Sequence, residues 1–84
     1  MSFLNVGFGN FANMDKIIAI ITPDSAPSKR MIQNYKEKNL LIDATSGRKT
    51  RGIIVLSDNR VLLSALSPEA LAARIVNKKE SSNE

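Results

Sequence analysis

Three runs in this sequence, Ile17-Ile18-Ala19-Ile20-Ile21, Ile53-Ile54-Val55-Leu56 and Val61-Leu62-Leu63, are apolar at consecutive rather than alternating positions. Successive side chains of a strand point to opposite faces, so strands of this kind belong to a sheet that is apolar on both sides. Both sides must then be shielded from water. In 84 residues there is room for one small domain, because a chain this short buries only roughly 60% of the surface its unfolded form exposes. Phe3 to Val6, Lys16 to Thr22, Leu40 to Ala44, Gly52 to Leu56 and Val61 to Leu66 are bounded by turn residues, giving about five short strands.

Two helix signals lie between them. Ser25 suits an N-cap, Pro27 sits inside the first turn and Asn39 can take a left-handed stop, which predicts a helix from Ala26 to Lys38. Met31, Ile32 and Tyr35 fall on one face of it, with Lys29, Gln33, Lys36 and Glu37 toward water. Ser67, Pro68 and Glu69 open a second helix running to about Val76, with Leu71, Ala72, Ile75 and Val76 as its apolar stripe. The fold class is therefore α+β: a small, mainly antiparallel sheet of about five strands with two helices. A single domain is expected over 1–76, and the polar end 77–84 as a flexible tail. Asp58-Asn59 tolerates positive φ and predicts a tight hairpin; a second hairpin is expected from Ala44 to Gly52. Two short helices cover one face of such a sheet but not both, so other copies of the chain are expected on the second face.

Several chemistries are excluded by what is missing. With no Cys and no His there is no disulfide framework, thiolate nucleophile, imidazole base or zinc site of the usual kind. The carboxylates Asp15, Asp24, Glu37, Asp43, Asp58 and Glu69 show no paired spacing, and several are turn or cap residues, so no enzyme is expected. The N-terminus carries no basic residue before its first apolar stretch. The longest apolar run, Ile17 to Ile21, is five residues, far below the roughly 20 of a spanning helix. The expectation is a cytoplasmic protein without a membrane partner. Gly7-Phe8-Gly9-Asn10-Phe11-Ala12 matches a dinucleotide fingerprint in letters, but no helix follows to receive a pyrophosphate; Gly7 and Gly9 read instead as positive-φ turn residues, and no cofactor is expected. Phe3, Phe8 and Phe11 crowd the first eleven residues, where they either plug a core or subunit interface or stack on unpaired bases.

The cations are more telling. Twelve Lys and Arg against eight Asp and Glu give a net charge of +4, which favours polyanionic partners. Arg48, Lys49 and Arg51 lie within four residues, beside Gly47 and the hydroxyls of Thr45, Ser46 and Thr50, with no acidic residue from Ala44 to Ser57. Such a loop can meet phosphates, and Gly47 lets backbone approach closely. Lys29 and Arg30 oppose the dipole at the start of the first helix, a small penalty that hints at another use. Lys16 stands at the entry to the apolar strand. The open alternatives are an RNA-binding module that stacks bases on Phe8 and Phe11, and a non-enzymatic adaptor for an acidic protein partner.

Three blocks, Asn5-Val6-Gly7-Phe8-Gly9-Asn10, Ser25-Ala26-Pro27-Ser28-Lys29-Arg30-Met31-Ile32 and Leu41 to Arg51, in this order, resemble the RemA-type extracellular matrix regulatory family over about Phe3 to Val76. The resemblance implies a bacterial, nucleoid-associated transcriptional regulator that binds double-stranded DNA and controls biofilm-matrix genes. It also implies a fold like the LytTR type of DNA-binding domain, closed into a homo-oligomeric ring of about seven or eight subunits around which DNA bends. The family's DNA-binding cations fall on Lys16, Arg48 and Lys49, with Arg51 beside them, and Pro27 matches a proline required for activity. A characterised member of that family carries Arg where this chain has Lys16 and Lys49. Lysine keeps the phosphate charge without the planar fork, so base contacts fall to Arg48 and Arg51.

Overall fold

The apolar runs form the centre of the molecule. The structure, a computed structural model, describes residues 2–82, with side chains as far as residue 75. Its elements are β1 (Phe3–Gly7), β2 (Asn10–Asn13), one 3-10 turn (Met14–Lys16), β3 (Ile17–Ile21), α1 (Ala26–Glu37), β4 (Leu41–Asp43), β5 (Gly52–Leu56), β6 (Val61–Ser64) and α2 (Pro68–Ser82). Strands β3, β5, β6 and β4 lie side by side in that order, and β1 pairs with β2 in a separate hairpin. The β3–β5 and β5–β6 pairs are antiparallel, whereas β4 runs parallel to β6. Among the described residues no helix is long and apolar enough to cross a membrane.

The two-faced apolar pattern does what the pleat demands. Ile53, Val61 and Leu63 point to one side, against Met31, Ile32 and Tyr35 of α1. Ile54 and Leu62 point to the other, against Leu4, Val6 and Ala12 of the β1–β2 hairpin and Leu71 and Ile75 of α2. The second face is thus covered by this chain itself, which overturns the expectation that other copies cover it. The count of helices missed the hairpin, because β2 gives only Ala12 to the buried core and its Asn-rich sequence has little strand propensity. The cover is tied down by one buried hydroxyl: Ser64 Oγ donates to the Val6 carbonyl at 2.8 Å and accepts from the Leu66 N–H at 3.0 Å.

Other expectations change with it. About five strands in one sheet become, among the described residues, six in two sheets. The segment from Ala44 to Gly52 is not a hairpin: β4 pairs with β6, so the loop crosses over β6 to reach β5. Phe3, Phe8 and Phe11 are 46%, 51% and 61% exposed and plug no core. Ala72 faces water while Leu71 is buried. Helix α2 runs past Val76 to Ser82, since Lys and Glu propagate a helix and no Gly or Pro stops it; the expected tail 77–84 lies where side chains are not described, residues 83–84 falling outside the described residues.

The local signals hold where they are local. Ser25 Oγ accepts from the Ser28 N–H at 3.2 Å, Ser67 Oγ from the Ala70 N–H at 3.1 Å, and Asn39 has φ 59°. Asn59, at φ 65°, turns β5 into β6. Gly7 and Gly9, at φ 105° and 78°, flank Phe8 at 55° in the turn between β1 and β2.

Candidate nucleic-acid interface

The basic loop is built from its roots upward. Ala44 and Arg51 hang on the end of β6, their N–H groups donating to the carbonyls of Leu63 (2.9 Å) and Ser64 (2.8 Å). At the next position, Gly52 passes so close to α2's approach that a Cβ there would lie 2.5 Å from the Leu66 carbonyl oxygen. Thr45 is buried, and both its N–H (2.9 Å) and its hydroxyl (2.6 Å) donate to Asp43 Oδ1. Those bonds, the hydroxyl's first, hold the Asp43 carboxyl below its ordinary pKa against a small opposing effect of burial. Above this neck the Arg48 N–H closes back on the Thr45 carbonyl at 3.0 Å. Ser46 and Gly47 between them have φ 52° and 80°, the pair of left-handed residues that a type I′ turn requires.

Past that tip the chain displays Arg48, Lys49 and Arg51, all exposed. Among the described residues the one ion pair is Arg60 with Asp58 at 3.5 Å, so none of the loop's cations is paired with a described carboxylate. Arg48, Lys49 and Arg51 line a depression of about 460 Å³ together with Gly7, Phe8, Ala65, Leu66 and Arg74, and among the described residues no carboxylate shares it. The Arg48 guanidinium carbon lies 5.7 Å from the centre of the Phe8 ring. Arg74, brought in from α2, donates to the Asn5 carbonyl at 3.1 Å. On the loop's other flank Lys49 and Arg51 share a smaller depression, about 180 Å³, with Asp24 and Glu69, without an ion pair to either.

The remaining expected residues lie apart from this cluster. Lys16 ends the 3-10 turn, where its carbonyl accepts from the Ser57 N–H at 2.7 Å. It is therefore at the opposite end of β3, about 16 Å away by strand rise. Lys29 and Arg30 are exposed on α1 and line neither depression, and Pro27 is exposed in the helix's first turn. The turn glycines Gly7 and Gly9 bring Phe8 to the loop. Sequence reasoning missed Arg74. The one signal available is its place three residues after the buried Leu71, on the side of α2 that packs on the hairpin.

A single exposed loop with three cations, a glycine tip and an aromatic neighbour has the charge and shape to bind phosphates. A profile of the RemA-like family, described as extracellular matrix regulatory protein A-like, matches residues 3–75. A Bacillus cereus protein provisionally named a regulatory protein is 52% identical over 84 residues, all of this chain and 97% of that relative. Similarly named proteins of Bacillus cytotoxicus and Bacillus mycoides are 51% identical over the same 84 residues, with the same coverage.

Proposed function

The chain belongs to the RemA-like family, and from that premise we propose that it is a non-enzymatic regulator that binds double-stranded DNA through its basic loop. In this reading Arg48, Lys49 and Arg51 contact phosphates, with Arg48 and Arg51 also able to reach base edges. The observation that carries it is the display of three cations, exposed and without ion pairs among the described residues, on a loop anchored at both roots. Lys16, Lys29 and Arg30 belong to the same charged exterior but stand outside the loop's cluster, so they serve as outlying contacts.

The working form is a homo-oligomeric ring, in the cytoplasm on the nucleoid, controlling biofilm-matrix genes. With the second sheet face already covered, support for self-association moves to the edges. Strands β3 and β4 are the two outer strands, and each exposes an isoleucine, Ile18 at 66% and Ile42 at 38%. Unlike edges at opposite sides of a sheet give head-to-tail contacts, which close rings when the rotation permits. A ring repeats one modest site many times, and the affinity multiplies accordingly.

The test is a titration of labelled duplex DNA at two salt concentrations, with light scattering to establish the assembly. Arg48→Ala in an intact oligomer is expected to weaken binding broadly and to lower the salt slope by about 0.9 per lost phosphate contact. Unchanged affinity and slope would refute the loop's role. Single-stranded RNA outcompeting duplex, with sensitivity to Phe11→Ala, would assign the chain to RNA instead. The absence of any salt-sensitive binding would favour an acidic protein partner.

A further inference from the structure

The depression beside the loop contains two residues that the functional reading leaves without a role. Phe8 is one. Its φ of 55° is a left-handed conformation that costs a bulky side chain energy, and its ring is half exposed, so burial does not offset that cost. What the conformation achieves is contact: the ring lies 5.7 Å from the Arg48 guanidinium. Arg74 is the other. It is exposed, lines the same depression, which holds no carboxylate among the described residues, and spends one guanidinium N–H on the Asn5 carbonyl, one of the five donors of its fork.

We propose that Arg74 is a fourth phosphate-contacting cation of this site and that Phe8 is a positioning residue for Arg48; the proposal rests on the DNA-binding reading of the loop. The two are complementary. A loop cation is mobile on its own, and an aromatic face under the guanidinium restricts it while leaving the edge of the fork open to an acceptor. Arg74 is held differently, by a backbone carbonyl on β1, and comes from a helix rather than the loop. Together they line one depression with a cation tied to the backbone and a cation steered by an aromatic face.

The experiment is an anisotropy titration of a fluorescein-labelled duplex of mixed sequence with the full chain, over a series of salt concentrations. Light scattering and circular dichroism confirm that each variant keeps the native assembly and fold. Arg74→Gln retains a donor for the Asn5 carbonyl without the charge. It is expected to weaken binding about tenfold at low salt and to lower the salt slope by about 0.9 for each subunit engaged, with Arg74→Lys restoring the slope; Arg74→Ala serves as a second charge-free variant. Phe8→Leu is expected to weaken binding about threefold with an unchanged slope, since no charge is lost, and Phe8→Tyr to restore it. If Arg74→Gln and Arg74→Ala bind with native affinity and slope, or Phe8→Leu binds as tightly as native, while Arg48→Ala is impaired, the inference is overturned and the loop's role stands. If Arg48→Ala is also unimpaired, the DNA-binding reading falls with it.

Discussion

Two connections at opposite ends of the four-stranded sheet treat arginine in opposite ways. The turn from β5 to β6 is local and self-contained: Asn59 supplies the positive φ, the Leu56 N–H donates to the Arg60 carbonyl at 2.9 Å, and Arg60 pairs with Asp58 at 3.5 Å. The loop from β4 to β5 also has an acid close by, but Asp43 is occupied at its neck by Thr45. Its oxygen accepts two bonds that brace the loop and makes no ion pair with the arginines above. A connection that only reverses the chain pairs its cation; the one proposed to meet DNA diverts its acid to structure, and its cations make no ion pair among the described residues.

The contrast can be broken most severely by reversing a charge in the loop. Lys49→Glu sets a carboxylate among phosphates, where like charges in contact cost several kcal/mol, so duplex affinity is expected to fall about a hundredfold. Arg60→Glu at the other end should fall far less in the same titration. Next comes the loop's root. Gly52→Ala drives a methyl group against the Leu66 backbone, with Leu71 Cδ1 only 3.2 Å away, and overpacking of this kind is expected to cost about 2 kcal/mol, read as a lower midpoint in urea.

A smaller effect sharpens the role of the neck. A carboxyl whose pKa is lower in the folded than in the unfolded chain adds stability above its ordinary value of 3.8 and loses it as pH falls through the lower, folded value. Thr45→Val removes the stronger of the two bonds, so the Asp43 pKa is expected to rise toward ordinary, and the acid limb of the stability curve below pH 3.8 to flatten. Carboxyl NMR titration reads the first and thermal melts over acid pH the second. The least change is expected from Asp58→Asn, whose partner pair is more than half exposed at 53% and 56%; stability should move by less than about 0.5 kcal/mol. A larger loss there would mean that the turn depends on its ion pair.

Legibility in the sequence followed the range of the interaction. Asn59, Asn39, Ser25 and Ser67 act within four residues of themselves, and turn and cap chemistry located all of them. The loop cations were equally legible, because charge without nearby acid is a property of a segment. Pairing was not. A Gly-containing stretch between two apolar runs reads as a hairpin, yet β4 chose β6, a partner from beyond the next strand, and no residue of the loop encodes that choice. β2 was invisible because one buried Ala12 among two Asn and an exposed Phe11 gives no period. Arg74 joined the site only through the packing of α2 on the hairpin, a contact 69 positions long, and Lys16 left it because the length of β3 intervenes.

The way the hairpin is fastened also bears on how the molecule is made. Val6 meets Ser64 across 58 positions, and Asn5 meets Arg74 across 69. The first thirteen residues therefore emerge from a ribosome long before anything exists for them to dock on. Closing such long loops is slow because chain entropy must be given up before the contacts repay it. The side of the central strands that the hairpin and α2 cover together stays partly open to solvent until α2 has been synthesised, which makes the nascent chain prone to aggregation in the interval before that helix is complete.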